Sequence, residues 1–227
     1  MEAIDLTAEI SPQIMVFPGS PSPSFIQWSK FDTQGYDSEV VFMSTHTGTH
    51  MDAPSHFVKG GQSIDRIPAS RFVCNALLLE IPKSAGQVIE PYDIPDADIV
   101  ENDTIVFLTG WERRHAESDY MTSNPGLSKE AAVLLGKKRI NAVGIDGPSI
   151  DAGSDQSFSA HHTLLGNGIL IIENLRNLGV LAGRLPTTHR ERRGGASMAP
   201  MRFTLIVTPL KLAGASGSPV RAIGLIS

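Results

Sequence analysis

Hydrophobic residues along this chain fall into short uninterrupted runs, which are typical of strands buried on both faces of a sheet. The runs are NALLLEI, TIVFLT, AVGI, ILII and FTLIV, at residues 75–81, 104–109, 142–145, 169–172 and 203–207. A sheet whose strands are apolar on both faces needs a covering layer on each side. The pattern therefore predicts an α/β fold with a mostly buried mixed sheet.

One covering helix is predicted at residues 128–139. Ser128 is a suitable N-cap, and Glu130 lies in the first turn. Basic residues end the segment at Arg139, so charges at both ends complement the helix dipole. A predicted strand follows within a few residues.

A loop is predicted at residues 11–24, which are rich in Pro, Gly and Ser. Pro18 and Gly19 predict a turn within it. Phe17 precedes this turn, and it either lines a pocket or holds the loop to the core.

Composition limits the functions that the chain can have. With 227 residues, of which 41% are hydrophobic and 19% charged, we expect a single domain over residues 1–227. A net charge of −5 and the lack of a basic block argue against a nucleic acid partner. The single cysteine, Cys74, fits a reducing compartment. We see no secretory signal and no apolar run near the ~20 residues that span a bilayer, so we expect a cytoplasmic protein that acts on a small molecule.

Residues 44–57, STHTGTHMDAPSHF, concentrate the candidate chemistry. They include three of the seven histidines, His46, His50 and His56, together with Asp52. Threonines within the segment and β-branched residues before it predict an extended strand, whereas a glycine and a following proline disfavour a helix. Alternate side chains of a strand share one face, so His46, His50 and Asp52 would converge.

Two imidazoles and a carboxylate on one face suit Zn, Mn, Fe or Ni, and Gly48 between the histidines would leave room for the ion. Three protein ligands leave positions open for water and substrate. The alternative is a polar strand whose histidines only form hydrogen bonds. His56 comes after Pro54, where the chain turns, and a non-ligating imidazole near a metal suits general acid/base chemistry. A supporting or surface role is the alternative for His56.

Two later stretches carry further candidates. Residues 146–151, DGPSID, follow a buried strand, where α/β sheets tend to place sites, although we favour the alternative of a hydrogen-bonded turn. In the segment SAHHTLLGNGILIIENL, at 159–175, Ser159 would cap a helical turn that carries His161. Glu173 ends the strand of this segment.

A charged glutamate at the end of a buried strand needs a partner. A metal would supply one, and His161 with Glu173 would then add a second set of ligands, with carboxylates bridging two ions. The alternative is that Glu173 pairs with Arg176 or Arg221.

The motif HTGTHMDAPSH at residues 46–56 resembles the signature of the metal-dependent cyclase or kynurenine formamidase family, which includes isatin hydrolases. FPGSP, LTGW, VGIDGPSID, HHTLLGNGILIIENL and PLKLAGASGSPVRAI extend the resemblance in order along most of the chain. The resemblance implies a swivelling β/β/α fold assembled as a homodimer or tetramer. It also implies hydrolysis of a non-peptide amide. That amide is an N-formyl aryl amine, as when N-formylkynurenine gives kynurenine and formate, or a lactam, as in isatin hydrolases.

The same resemblance implies site residues. His46, His50 and Asp52 would hold one divalent metal, Zn or Mn, with Asp52 bridging to a second ion. His161 and Glu173 would complete the site, and His161 is preferred to His162 by its spacing from the paired leucines. His56 would be the catalytic acid/base. Phe17 would bind substrate where kynurenine formamidases usually have a tryptophan, so the resemblance does not extend to kynurenine specificity.

Two other functional classes share part of this pattern. His50 and Asp52 with a distal histidine match the facial triad of non-haem Fe(II) oxygenases, which leaves His46 and His56 without roles. A non-catalytic metal-binding protein has no need of His56. Residues 187–199, TTHRERRGGASMA, form a basic segment that we interpret as a mobile loop, a lid or an interface element.

Overall fold

A closed mixed sheet organises the computed structural model, which describes residues 1–95, 98–184 and 200–226. The strands in these ranges are β1 (Glu2–Asp5), β2 (Ser24–Ser29), β3 (Ser38–Phe42), β4 (His50–Asp52), β5 (Val73–Glu80), β6 (Val88–Ile89), β7 (Thr104–Leu108), β8 (Gly126–Leu127), β9 (Ala142–Ile145), β10 (Leu170–Glu173), β11 (Met201–Pro209) and β12 (Gly217–Ile226). The α-helices are α1 (Phe31–Gln34), α2 (Lys129–Lys137), α3 (Ser159–Gly166) and α4 (Leu178–Arg184). Short 3-10 helices lie at Pro54–His56, Ile64–Arg66, Ala69–Phe72, Pro91–Asp93 and Trp111–Arg114.

Eight of the described strands pair in the order β1-β12-β11-β5-β7-β9-β10-β4, and β4 pairs again with β12. This second pairing closes the sheet. The central pairs from β5 through β7 and β9 to β10 are parallel, and the other pairs of the sheet are antiparallel. The predicted α/β fold with a mixed, mostly buried sheet is confirmed.

The two faces of the sheet pack into two hydrophobic clusters, because alternate strand residues point in opposite directions. On one face, Leu77, Phe107 and Val143 pack with residues of α2 and α3. On the other, Leu78 and Val106 pack with residues of α4, β11 and β12. Both faces are covered, as the uninterrupted apolar runs predict.

The predicted strands and helix match the structure within one to two residues at most ends. Ser128 caps α2, since its side chain accepts a hydrogen bond from the Ala131 backbone N–H at 3.1 Å. The predicted turn also forms, because the Ser20 N–H donates to the Phe17 carbonyl at 2.9 Å and Gly19 has φ +89°. The prediction that Ser159 caps a helix is wrong, because Ser159 is the first residue of α3.

The two-stranded unit β2–β3 stands apart from the closed sheet and was not predicted. In the described ranges, no helix has the length and apolar character that crossing a membrane requires. The predicted basic segment at residues 187–199 lies outside the described residues.

Candidate metal centre

Five candidate ligands meet where β4 pairs with β10. His50 and Asp52 lie on β4, and Glu173 lies directly across from His50 on β10. His46 comes from the turn before β4, and His161 comes from α3. The structure thus brings together residues that are more than 100 positions apart in the sequence.

Distances within this group are those of a ligand cluster. Nδ1 of His46 lies 2.6 Å from Oδ1 of Asp52, and Nε2 of His50 lies 3.5 Å from the same oxygen. Nε2 of His50 also lies 3.3 Å from Oε2 of Glu173. Nε2 of His161 lies 3.4 Å from Oδ2 of Asp52 and 3.3 Å from Oε1 of Glu173. These nitrogens and oxygens all face one another.

The predicted strand over the whole histidine segment is wrong before His50. Gly48 has φ +64°, a left-handed conformation that breaks an extended strand, so His46 approaches Asp52 from a turn. A Cβ at Gly48 would also meet a side-chain carbon of Ile10 at 3.0 Å, so the glycine allows this turn to pack closely against the loop after β1. The convergence predicted for these residues therefore occurs through a different backbone path.

The residues fit a divalent cation. Oδ2 of Asp52 is buried and has no hydrogen-bond partner among the described residues, which leaves a carboxylate oxygen available to a cation. Asp52 belongs to two groups whose ligand atoms lie within 4.8 Å of one another, one with His46 and His56, the other with His50 and Glu173. Imidazole nitrogens and carboxylate oxygens are the usual donors to Zn and Mn.

The electrostatics of the group favour positive charge. Burial lowers the pKa of His50, but the Asp52 and Glu173 carboxylates outweigh it and raise the pKa to about 9. Burial likewise opposes charge on His161, but hydrogen bonds to carboxylates raise its pKa well above the ordinary value. Despite their burial, the pKa values of Asp52 and Glu173 are lowered by the surrounding histidines. The carboxylates thus attract protons to the imidazoles, in the way that they would attract a cation.

Neighbouring groups orient the ligands. Nδ1 of His161 contacts Asp151, and Nδ1 of His50 donates to the Gly48 carbonyl at 2.9 Å. Nε2 of His46 lies 2.9 Å from the Ser216 hydroxyl. Asp151 fell within a stretch that the sequence marks as a candidate, whereas the Ser216 contact spans 170 positions and leaves no local signal.

His56 lies at the end of the 3-10 helix Pro54–His56, next to the cluster. Its ring stacks on His46 with centroids 3.9 Å apart, and its edge faces His161 at 5.9 Å. Partial burial lowers the pKa of His56 to about 4, although Asp52 opposes the shift. A neutral imidazole can accept a proton.

The cluster opens into a cavity of about 340 Å³ with an aromatic side. Phe17 lines it, which is one of the two alternatives left open by the sequence, and the residue remains 42% exposed. Phe158 contacts Phe17 at 6.3 Å and Phe57 at 5.5 Å between ring centroids. Phe158 was not predicted from the sequence. Its φ of +51° is unusual for a non-glycine residue and marks strain beside the site.

Other predicted candidates lie outside the cluster. Asp146 accepts hydrogen bonds from Thr109 and Gly110, so it stabilises a turn. His162 is exposed and packs edge-on against Phe57. The alternative partners of Glu173 are excluded by geometry, because Arg176 donates to Tyr120 and Arg221 pairs with Asp5.

Comparisons with known proteins agree with this architecture. A family model described as "Putative cyclase" matches residues 4–152. A kynurenine formamidase of Salinibacter ruber is 29% identical over 98% of this chain and 97% of its own. Isatin hydrolase A from Labrenzia aggregata is 27% identical with a TM-score of 0.83, over 99% of this chain and 93% of its own. A structure described as a potential metal-dependent hydrolase with cyclase activity is also 27% identical, with a TM-score of 0.76 over 98% of this chain and 96% of its own.

Proposed function

Because this chain belongs to the cyclase family, we propose that it is a metal-dependent hydrolase of a non-peptide amide. The observation that carries the proposal is the buried Asp52 carboxylate. Its Oδ2 has no hydrogen-bond partner among the described residues and lies 3.4 Å from Nε2 of His161, and its Oδ1 lies within 3.5 Å of His46 and His50. The kynurenine formamidase and isatin hydrolase relatives are hydrolases by name, and their likeness extends over nearly the whole chain.

The proposed ligands are His46, His50, Asp52, His161 and Glu173, and Zn or Mn is the proposed metal. One or two ions are proposed, because imidazole nitrogens lie near both oxygens of Asp52: those of His46 and His50 near Oδ1, and that of His161 near Oδ2. A divalent cation held there supplies an acidified water and polarises a carbonyl oxygen.

His56 is the proposed general acid/base. Its neutral imidazole would first accept a proton at a ring nitrogen and then donate it to the departing amine nitrogen. This second transfer matters because an amine anion is a poor leaving group. The ring stack on His46 holds the imidazole beside the ligand cluster. An oxygenase leaves both of these histidines without a role, so their positions favour the hydrolase.

The proposed substrate is an N-formyl aryl amine, and Phe17, Phe57 and Phe158 would contact its aromatic ring. The second candidate is a cyclic aryl amide, which the isatin hydrolase relative favours. Both substrates place a planar amide beside an aryl ring.

The test is hydrolysis of N-formylkynurenine and of isatin by metal-loaded protein. The change in absorbance of each substrate measures its hydrolysis. Turnover of N-formylkynurenine supports an N-formyl aryl amine as the substrate, and turnover of isatin alone supports a cyclic aryl amide. If the protein hydrolyses neither, with metal bound, the proposed substrate class is wrong.

We further propose a homo-oligomer, a dimer or a tetramer, because the β2–β3 unit exposes a run of large apolar side chains. Their exposure ranges from 43% to 73% for Phe25, Ile26, Trp28, Phe31, Tyr36, Val40, Val41 and Phe42. A two-stranded hairpin is marginally stable alone, and apolar patches of this kind mark contact surfaces. A second copy of the chain would cover it.

Residues 1–227 are proposed to form one catalytic domain, because strands from both ends of the described chain pair in one sheet. A cytoplasmic location is also proposed, and Cys74, a buried free thiol, fits a reducing compartment.

A further inference from the structure

A second cavity, of about 570 Å³, adjoins the one over the metal centre. Its walls come from the loop after β1, from the segment that contains Tyr120, and from the residues after β10. Met15 and Asn174 line both cavities, so they form the wall between them. The proposed hydrolysis makes no use of this second space.

Arg176 is the notable residue in the second cavity. The residue is half-buried, and its guanidinium donates to the Tyr120 hydroxyl at 2.9 Å and lies over the Tyr120 ring at 5.3 Å. No carboxylate in the described ranges lies within 4.0 Å of it. Other arginines of the structure do have such partners, as Arg202 has Asp103. A guanidinium in a cavity wall without a counter-ion is a binding site for an anionic ligand.

Hydrogen bonds connect Arg176 to the metal centre. The Tyr120 hydroxyl that accepts from Arg176 donates to the side-chain oxygen of Asn174 at 3.0 Å. Asn174 directly follows the proposed ligand Glu173, and its backbone carbonyl accepts from Thr49 at 2.6 Å. Arg176 is therefore held in place by the same buried groups that fix the end of β10.

The rest of the cavity wall suits a carboxylate. Gln13, His115 and Asn177 place hydrogen-bonding side chains on it. Glu9 is the acidic residue among the lining residues, and it does not pair with Arg176. A guanidinium binds a carboxylate through paired N–H donors.

We propose that this cavity binds a carboxylate-bearing small molecule through an ion pair with Arg176. The carboxylate has two possible sources: the far end of the enzyme's own substrate, reaching past Asn174, or a separate carboxylic acid. The first source rests on the proposed function, and the second does not.

The test compares Arg176→Gln with wild type on two N-formyl aryl amines. N-formylkynurenine carries an α-carboxylate, and formanilide carries none. If the substrate supplies the carboxylate, the variant raises KM for N-formylkynurenine about tenfold or more and leaves kcat/KM for formanilide unchanged. Arg139→Gln, at an arginine whose side chain is 80% exposed, is the matched control and should change neither.

Benzoate is the probe for a separate carboxylate, with calorimetry on metal-loaded protein. One benzoate per chain, bound without competing with formanilide and lost in Arg176→Gln, supports this source. Unchanged KM values together with equal benzoate binding by variant and wild type would overturn the proposal. Because benzoate binding needs no turnover, its result stands even if the proposed hydrolysis fails.

Discussion

At the scale of single residues, His56 tests the proposed chemistry separately from metal binding, because it is the proposed acid/base and not a proposed ligand. Replacing His56 with Ala should lower kcat by about 100-fold to 10,000-fold, because the departing nitrogen loses its proton donor. Metal content, measured by elemental analysis, should not change. His162→Ala is the matched control, since His162 is exposed, and it should keep wild-type turnover. Full activity in the His56 variant would refute the assignment, and loss of an ion would make His56 a ligand.

The raised pKa of His50 predicts how metal affinity depends on pH. Its pKa of about 9 means that the metal-free imidazole is protonated at neutral pH, whereas a metal ligand must be neutral. Metal binding should therefore release a proton, and affinity should rise from about pH 6 to about pH 9. Calorimetry in buffers of different ionisation enthalpy measures the release. Affinity that is constant or falls over this range would contradict the assignment of His50.

Residue types and their spacing predicted the candidate ligands, but they did not predict the neighbouring residues that position these ligands. Histidines are rare enough to stand out, since the chain has seven, and three of them lie within residues 44–57. Ser216 and Gly217 carry no such signal, yet Ser216 contacts His46, and a Cβ on Gly217 would lie 2.6 Å from the His46 ring. Such contacts exist only once distant strands meet.

At the scale of elements, one carboxylate at the start of α3 both binds the helix N-terminus and contacts a proposed metal ligand. Asp151 accepts from the Ala160 N–H at 2.6 Å and also contacts Nδ1 of His161. Asp151→Asn should therefore weaken zinc affinity about 10-fold to 100-fold, because it removes the carboxylate that orients a proposed ligand. Competition with a chromogenic chelator measures this affinity.

Asp155 provides the control for that experiment. It accepts from the Ser157 and Ser159 N–H groups at the same end of the helix, but it does not contact His161. Asp155→Asn should lower Tm and leave zinc affinity unchanged. Equal loss of affinity in both variants would indicate that Asp151 acts through helix stability alone.

The exposed apolar side chains of the β2–β3 unit predict a homo-oligomer. Trp28→Asp and Val41→Asp should reduce the mass measured by light scattering, because a charge would be buried between two copies. Tyr92→Asp replaces an aromatic residue that is 84% exposed outside the hairpin, and it should leave the mass unchanged. A wild-type protein that is monomeric at working concentrations would contradict the proposed oligomer.

Buried elements were predictable, and exposed or very short ones were not. The strands β5, β7 and β9 lie between covering layers, so their uninterrupted apolar runs identify them. The strands β2 and β3 also carry large apolar residues, but these are exposed, and the sequence does not show which apolar residues will be covered. β4 has only three residues, too few to show a period, so its pairing on both sides could not be foreseen.

At the scale of the whole molecule, closure of the sheet assembles the site. β4 lies between β10 and β12, so His50 faces Glu173 on one side and Pro219 on the other. The family model ends at residue 152, before His161 and Glu173. The relatives that match over nearly the whole chain also cover the part that contains those residues.

Removal and return of the metal test most directly whether the protein is a metal-dependent hydrolase. Protein treated with a chelator should lose hydrolysis of its amide substrate, and Zn or Mn should restore it in proportion to the ions bound per chain. Asp52→Ala should bind neither metal tightly and should not recover, because Asp52 belongs to both ligand groups. Undiminished turnover by protein shown to be free of metal would rule out a metal-dependent hydrolase.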